Sequence, residues 1–444
     1  MTAATAAPCH ENGRASIIED SASRGVDYGS NMARPEQPPS TESPQQRSLL
    51  LALGAATFVV GLDARIVAPL LPSIADELGC SIAVASYTVS FYLLPYGLCQ
   101  LAYGPLADRL GKLRVAVYAM AAFSLGTAGC GLFGGLAGLL TLRALTGAAA
   151  AALIPLTIAY IGDTVPYSRR QATLSLLMAS TGAAQSFSTS AGGLMAEVMS
   201  WRSIFPTLGG ISALVTLWLW HRARHVPAVS RSASGNYRAA LQSSLRPILW
   251  LVLVEGALFM GCFPFFSGLL HERFRSGPLS IGLTLALAGL AQVAVAKSLP
   301  RILRRVTEER LVLIGGGAMA TAYLVAAVAP SVGWVAFSTA ALGAGFSLCH
   351  STIQARASEA FPSGRGRALA LFAFSLFVGG GTGTFVMGSV AEAAGYTRSF
   401  VAASVCFVVF TFFAARTVAA QGEQARRLAL VEAREADLGG ATSP

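Results

Sequence analysis

Four ionisable side chains lie inside long apolar stretches of this chain: Asp63, Arg143, Glu255 and His350. A charge at mid-bilayer costs at least about 2.5 kcal/mol, so such residues face a polar cavity or pair with one another. A cationic neighbour holds a carboxylate ionised, and desolvation favours its protonated form. A carboxylate whose neighbour or hydration changes between two conformations therefore binds and releases a proton in alternation. That is the chemistry of ion coupling, and it depends on how the surrounding stretches hold the four residues.

Those stretches dominate the composition. Of 444 residues, 54% are hydrophobic and 12% charged, and the mean hydropathy is +0.58. Soluble domains carry about 25% charged residues, so the chain reads as a polytopic membrane protein. A membrane helix needs about 20 apolar residues. That ruler gives twelve spans: 48–70, 84–106, 113–132, 136–161, 172–196, 203–221, 247–270, 279–299, 311–329, 333–355, 368–391 and 398–418. Basic residues crowd alternate loops, at Arg109, Lys112 and Arg114, Arg169 and Arg170, 222–246, 297–310 and 356–367. The bias predicts both termini in the cytoplasm. The net charge of +10 is thus a topology signal and excludes nucleic acid as a partner.

Residues 1–47 read as a disordered cytoplasmic tail, rich in Ala, Ser and Pro. Residues 222–246, with five arginines and no acid, read as a cytoplasmic linker, and 419–444 as a second tail containing a short surface helix. The seven cysteines have no metal-ligand spacing and read as buried, space-filling thiols. No metal, cofactor or catalytic motif is present, so an enzyme is not expected.

The halves repeat each other. Gly193, Trp201 and Phe205 reappear as Gly388, Tyr396 and Phe400, and Pro69 and Arg170 as Pro264 and Arg365, all at one offset. The expected architecture is all-α, with twelve transmembrane helices in two pseudo-symmetric six-helix bundles, residues 48–221 and 247–418. Parallel repeats of this kind hold substrate at their interface near the midplane.

Between the second and third spans stands Gly104-Pro-Leu-Ala-Asp108-Arg109-Leu-Gly111-Lys112-Leu-Arg114. It resembles the G-x-x-x-D-R-x-G-[RK]-x-[RK] loop of the major facilitator superfamily, and the likeness extends over residues 48–418. The resemblance implies alternating access by two rocking bundles, with this loop as a cytoplasmic latch. Gly104 and Gly111 allow close helix approach and a tight turn, and Asp108 can accept charge-assisted hydrogen bonds. The second-half counterpart, 300–305, keeps the arginines and lacks the acid and glycines. Arg143-Ala-Leu-Thr-Gly147 resembles the R-x-x-x-G core of proton-coupled members. Gly192-Gly193 resembles the end of the G-P-x-x-G-G motif of drug:proton antiporters, without its Gly-Pro. Gly147, Gly192 and Gly193 are accordingly expected at helix contacts. Leu62-Asp63-Ala-Arg65 and the prolines after it resemble the first-span motif of drug exporters, with Arg65 at a threonine position. That cation favours an anionic or zwitterionic substrate.

At 1.5 Å per residue, Asp63 and Arg143 lie about 12 Å and about 11 Å from the outer ends of the first and fourth spans. An ion pair between them is expected. Glu255 lies eight residues inside the inner end of span seven and His350 about as far from that of span ten, which predicts a second pair. Arg65 points about 200° from Asp63 around the helix, so the two do not share a partner. Tyr92, Tyr96, Gln100, Gln185, Phe263, Phe266 and Gln292 are expected to line a substrate cavity with Arg65. The leading expectation is a monomeric transporter exporting a small organic compound against a proton. Proton-coupled uptake and a non-transporting sensor are the alternatives.

Overall fold

The computed structural model describes residues 44–226, 241, 244–361 and 364–440, and these are helical with short connections. The helices are α1 (Pro44–Leu78), α2 (Ile82–Leu110), α3 (Lys112–Cys130), α4 (Leu136–Thr164), α5 (Tyr167–Val198) and α6 (Trp201–Ala223). The second half has α7 (Leu245–Phe259, resumed at Phe265–Phe274), α8 (Pro278–Ile302), α9 (Glu308–Val328) and α10 (Val332–Glu359). Residues 365–394 and 396–440 form α11 and α12, divided at Gly395. The side on which α1 begins is called the near face below, and the opposite side the far face.

Nine of these segments are long and apolar enough to cross a membrane, counting α11 and α12 as one. The two that fall short are informative. α5 is rich in Ser, Thr and Gln along its length, and α7 is interrupted after Phe259. α5 turns out to line the central cavity, and Phe263, in the interruption of α7, borders its inner chamber.

Prolines explain the two breaks. A proline ring clashes with the carbonyl four residues earlier and removes one helical hydrogen bond. α4 loosens at Ala151–Ala152, four residues ahead of Pro155, and α7 at Met260, four ahead of Pro264. Pro69 and Pro72 do not end α1, which runs to Leu78, beyond the predicted end of the span. Packing holds it: a Cβ on Gly192 of α5 would meet Ile66 and Pro69. The depths assigned to Asp63 from an end near residue 70 are corrected accordingly, since it lies near the middle of its helix. Gly395, at φ 78, makes the turn between α11 and α12 in a region that favours glycine. The predicted surface helix at the carboxy terminus is instead a direct continuation of α12 to Gly440. Most of the linker 222–246 and of the amino-terminal tail 1–47 lies outside the described residues.

Two hydrophobic cores match the two halves. One joins Leu49 to Leu219, the other Leu245 to Val418, with Ala68 of α1 the first-half member of the second. Phe205 and Phe400, related by the repeat offset, are both fully buried in their own cores. The architecture is the twelve-helix, two-bundle one that the repeat implies. The halves meet along α5 with α8 and α2 with α11, so from Ser48 on the chain forms one unit.

Candidate functional site

The four buried charges form two pairs. Arg143 Nη1 donates to Asp63 Oδ2 at 2.8 Å, and its Nε donates to the Thr88 carbonyl at 3.4 Å. The guanidinium lies 4.3 Å from the Tyr92 ring centroid and 6.0 Å from that of Phe205. Aromatic faces attract a cation most strongly where water is excluded. Water is excluded here: the side chains of Arg143 and Asp63 are 1% and 0% exposed. The pair is sealed inside the first bundle, where it ties α1, α2 and α4 together.

The second pair is His350 Nδ1 with Glu255 Oε2, 2.9 Å apart, joining α10 to α7. Glu255 is fully buried, yet the His350 ring is 16% exposed and forms part of a cavity wall. Phe346 stacks on His350 at 4.5 Å between centroids, and Phe259 stacks on Phe346 at 3.8 Å. In each pair one carboxylate oxygen, Asp63 Oδ1 or Glu255 Oε1, is buried without a hydrogen-bond partner among the described residues.

The cavity encloses about 960 Å³ between the halves. α5 forms one wall from Ser168 to Gly182, and α8 and α10 the other, through Gln292, Lys297, Phe346 and His350. Ser168 and Arg170 start α5 and Lys297 nears the end of α8, so the cavity opens on the near face. At its inner end a second chamber of about 30 Å³ is bounded by Arg65, Gln185, Ser186, Thr189, Phe263 and Gln292. The two share Gly182, Gln292 and Val293 in their walls.

The far face is closed. Gly193 of α5 abuts Pro278 and Gly282 of α8 so tightly that a Cβ on either glycine would strike backbone. Tyr96 lies against Phe377 at 4.1 Å and Tyr87 against Phe385 at 4.9 Å, closing α2 on α11. The Leu279 amide donates to Glu197 at 3.3 Å. These contacts cross between the halves and must part if the far face opens.

These features place a polar cavity between two repeated bundles, open on one side and shut on the other. A family profile described as Major Facilitator Superfamily matches residues 53–384. The chain belongs to the major facilitator superfamily. It is a transporter by family, as are its similar proteins. An uncharacterized MFS-type transporter of Bacillus subtilis is 25% identical over 357 residues, 78% of this chain and 86% of that protein. One of Mycobacterium tuberculosis is 28% identical over 233 residues, 49% of this chain and 40% of its own length. The tetracenomycin C resistance and export protein of Streptomyces glaucescens is 28% identical over 156 residues, 35% of this chain and 29% of that protein. The chain therefore spans less than half the length of the last two. A bacterial homologue of the human lysosomal transporter Spinster, solved inward-facing and unoccupied, superposes with TM-score 0.72 at 17% identity, over 86% of this chain and 99% of that one. A D-xylose–proton symporter superposes with TM-score 0.70 at 15% identity, over 83% and 97%. At these identities the likeness is one of fold.

In the superfamily's loop signature, Gly111 has φ 91 and makes the tight turn between α2 and α3. Lys112 forms an ion pair with Asp163 at the end of α4. Arg109 and Arg114 are exposed, Asp108 is half-buried and already engaged, and Gly104 is exposed.

Of the expected cavity residues, Arg65, Gln185, Phe263 and Gln292 line the two chambers. Four do not. Tyr92 is buried against Arg143, Tyr96 packs on Phe377, and Phe266 is inside the second core against Tyr323 and Phe400. Gln100 borders neither chamber, and its Oε1 is buried without a partner among the described residues. These helices are apolar on every side, so the sequence does not mark the inward face. Gly147 and Gly192 do sit at tight helix contacts, against Tyr92 and Ile66. The sequence reading missed Phe259, Phe346 and Asp163. The two phenylalanines stand one helical turn from Glu255 and His350, a spacing that puts them on the same face.

Proposed function

We propose that this protein exports a small organic compound from a bacterial cytoplasm in exchange for protons, as a monomer with both termini inside. The carrying observation is the Glu255–His350 hydrogen bond in the wall of a cavity open on the near face. The arginine-rich loops of that face support its being cytoplasmic, which makes the present state inward-facing. The likeness to a resistance and export protein supports outward transport.

Glu255 and His350 are the proton site. Histidine is the side chain whose unperturbed charge change falls near neutral pH, and this one borders the cavity. Protonation cancels the carboxylate or charges the ring, and either event alters the contact between α7 and α10. Asp63–Arg143 braces the first bundle, because a guanidinium does not give up its proton and neither residue is among the described lining of the two chambers. Rocking then separates α5 from α8 and α2 from α11 on the far face while the near cavity closes. The loop from Gly104 to Arg114 is the latch of the closed near face.

Accumulation of a compound panel in a deletion strain, with and without the gene and with and without a protonophore, tests this reading. The expected result is a compound that accumulates less when the gene is present and returns to the deletion level when the protonophore is added. Greater accumulation with the gene would indicate uptake. Binding with no change in accumulation of any compound would indicate a sensor.

A further inference from the structure

Arg65, half-buried, differs from Arg143, the fully buried cation among the described residues. Its guanidinium lies 4.7 Å from the Phe263 ring centroid and 5.5 Å from that of Phe259, and it borders the inner chamber. It has no hydrogen bond or ion pair to a protein group among the described residues. Arg143, on α4, shows what this protein does with a structural guanidinium: it supplies a carboxylate, a carbonyl and an aromatic face. At Arg65 only the aromatic faces are supplied. A desolvated cation without a counter-ion is an expensive arrangement in a membrane protein, tolerated where a cavity or ligand completes it.

The surroundings select the sign of that ligand. Arg65, Arg170, Lys297 and the His350 ring line the two chambers, and no Asp or Glu is among their described lining residues. A cation entering from the near face would pass positive groups and find no accessible carboxylate, since Glu255 lies buried behind His350. An anion is drawn inward. Around Arg65 stand the amides of Gln185 and Gln292, which supply hydrogen-bond donors to a head group, while the hydroxyls of Ser186 and Thr189 donate to the Gly182 and Ser186 carbonyls. The inner chamber of about 30 Å³ holds a head group only, so the body must lie in the larger cavity. There Leu174, Met178, Val293 and Phe346 offer apolar surface.

We propose that Arg65 anchors the carboxylate or sulfonate of an amphiphilic organic monoanion whose apolar body lies in the main cavity. This rests on the transport reading above and names its substrate class. The anchor is also wired to the proton site: Arg65 on Phe259, Phe259 on Phe346 and Phe346 on His350 form one stacked column across both halves. An anion that draws Arg65 off Phe259 loosens the top of that column, whose base holds Glu255.

Equilibrium binding to the purified full-length protein tests the proposal, using tritiated naphthoate, naphthamide and naphthylmethylamine, which share a body and differ in charge. The wild type should bind naphthoate at least about tenfold more tightly than either other probe. Arg65→Gln should abolish that preference and Arg65→Lys should retain part of it. The proposal is overturned if the wild type does not bind naphthoate saturably, binds naphthamide or the amine as tightly, or keeps its preference in Arg65→Gln. The wild-type comparison stands even if a variant misfolds. Counterflow of naphthoate in proteoliposomes separates the two readings. Anion-selective binding without counterflow would support the site and sink transport; counterflow without anion preference would overturn the site and leave transport standing.

Discussion

The two buried ion pairs join repeat-related helices, α1 to α4 and α7 to α10, at nearly the same separation, 2.8 and 2.9 Å. They differ in cation and in access. Asp63 faces an arginine and neither side chain is more than 1% exposed. Glu255 faces a histidine whose ring is 16% exposed in the cavity wall. A pair whose cation keeps its charge and which is cut off from water serves as a brace. A pair whose cation can discharge, and which borders the cavity, can exchange a proton. Duplication supplied the same pair of helices twice, with the charges at different positions along them, and the difference between arginine and histidine divides the labour.

The comparison is broken most easily at the brace. Asp63→Asn or Arg143→Gln leaves one buried charge without its partner, and removing one member of such a pair costs roughly 3–5 kcal/mol. Thermal unfolding in detergent should show a large loss for each single variant, with much of it recovered in the double variant. Tolerance of either single change would erase the distinction. Glu255→Gln should be milder for the fold, about 1–3 kcal/mol for the disturbed hydrogen bond. In proteoliposomes it should abolish substrate movement driven by a proton gradient while leaving exchange down the substrate's own gradient. Gly193→Leu sharpens the comparison from the far side. The wedge against Pro278 and Gly282 should disfavour the present state by about 1–3 kcal/mol. Spin-label distances across α5 and α8 should lengthen on the far face, with Asp63–Arg143 still sealed. Smallest is Lys112→Ala, which deletes a partly exposed ion pair with Asp163. Its effect on unfolding should stay within about 1 kcal/mol.

Much of this was legible in the sequence, unevenly. Apolar length and the basic loops gave the spans, because a bilayer imposes both. The charges were conspicuous because their neighbours are apolar, and each had one partner of opposite sign within its own half. Helix ends were harder. Pro69 and Pro72 suggest an end to α1, yet packing against Gly192 carries the helix through. Direction was hardest: Tyr92, Tyr96 and Phe266 are aromatic residues on helices surrounded by apolar neighbours, and only contacts reveal that they face cores or seams. α5 was the exception, since its Ser, Thr and Gln residues mark the face that lines the cavity. Arg65 was visible as a departure from a motif, and its lack of a counter-ion was visible only in the fold.

Proton binding by the purified protein, followed with a pH indicator, tests the division most directly. The account predicts a titration step that is lost in Glu255→Gln and in His350→Gln while both variants remain folded. Survival of that step in Glu255→Gln would contradict it.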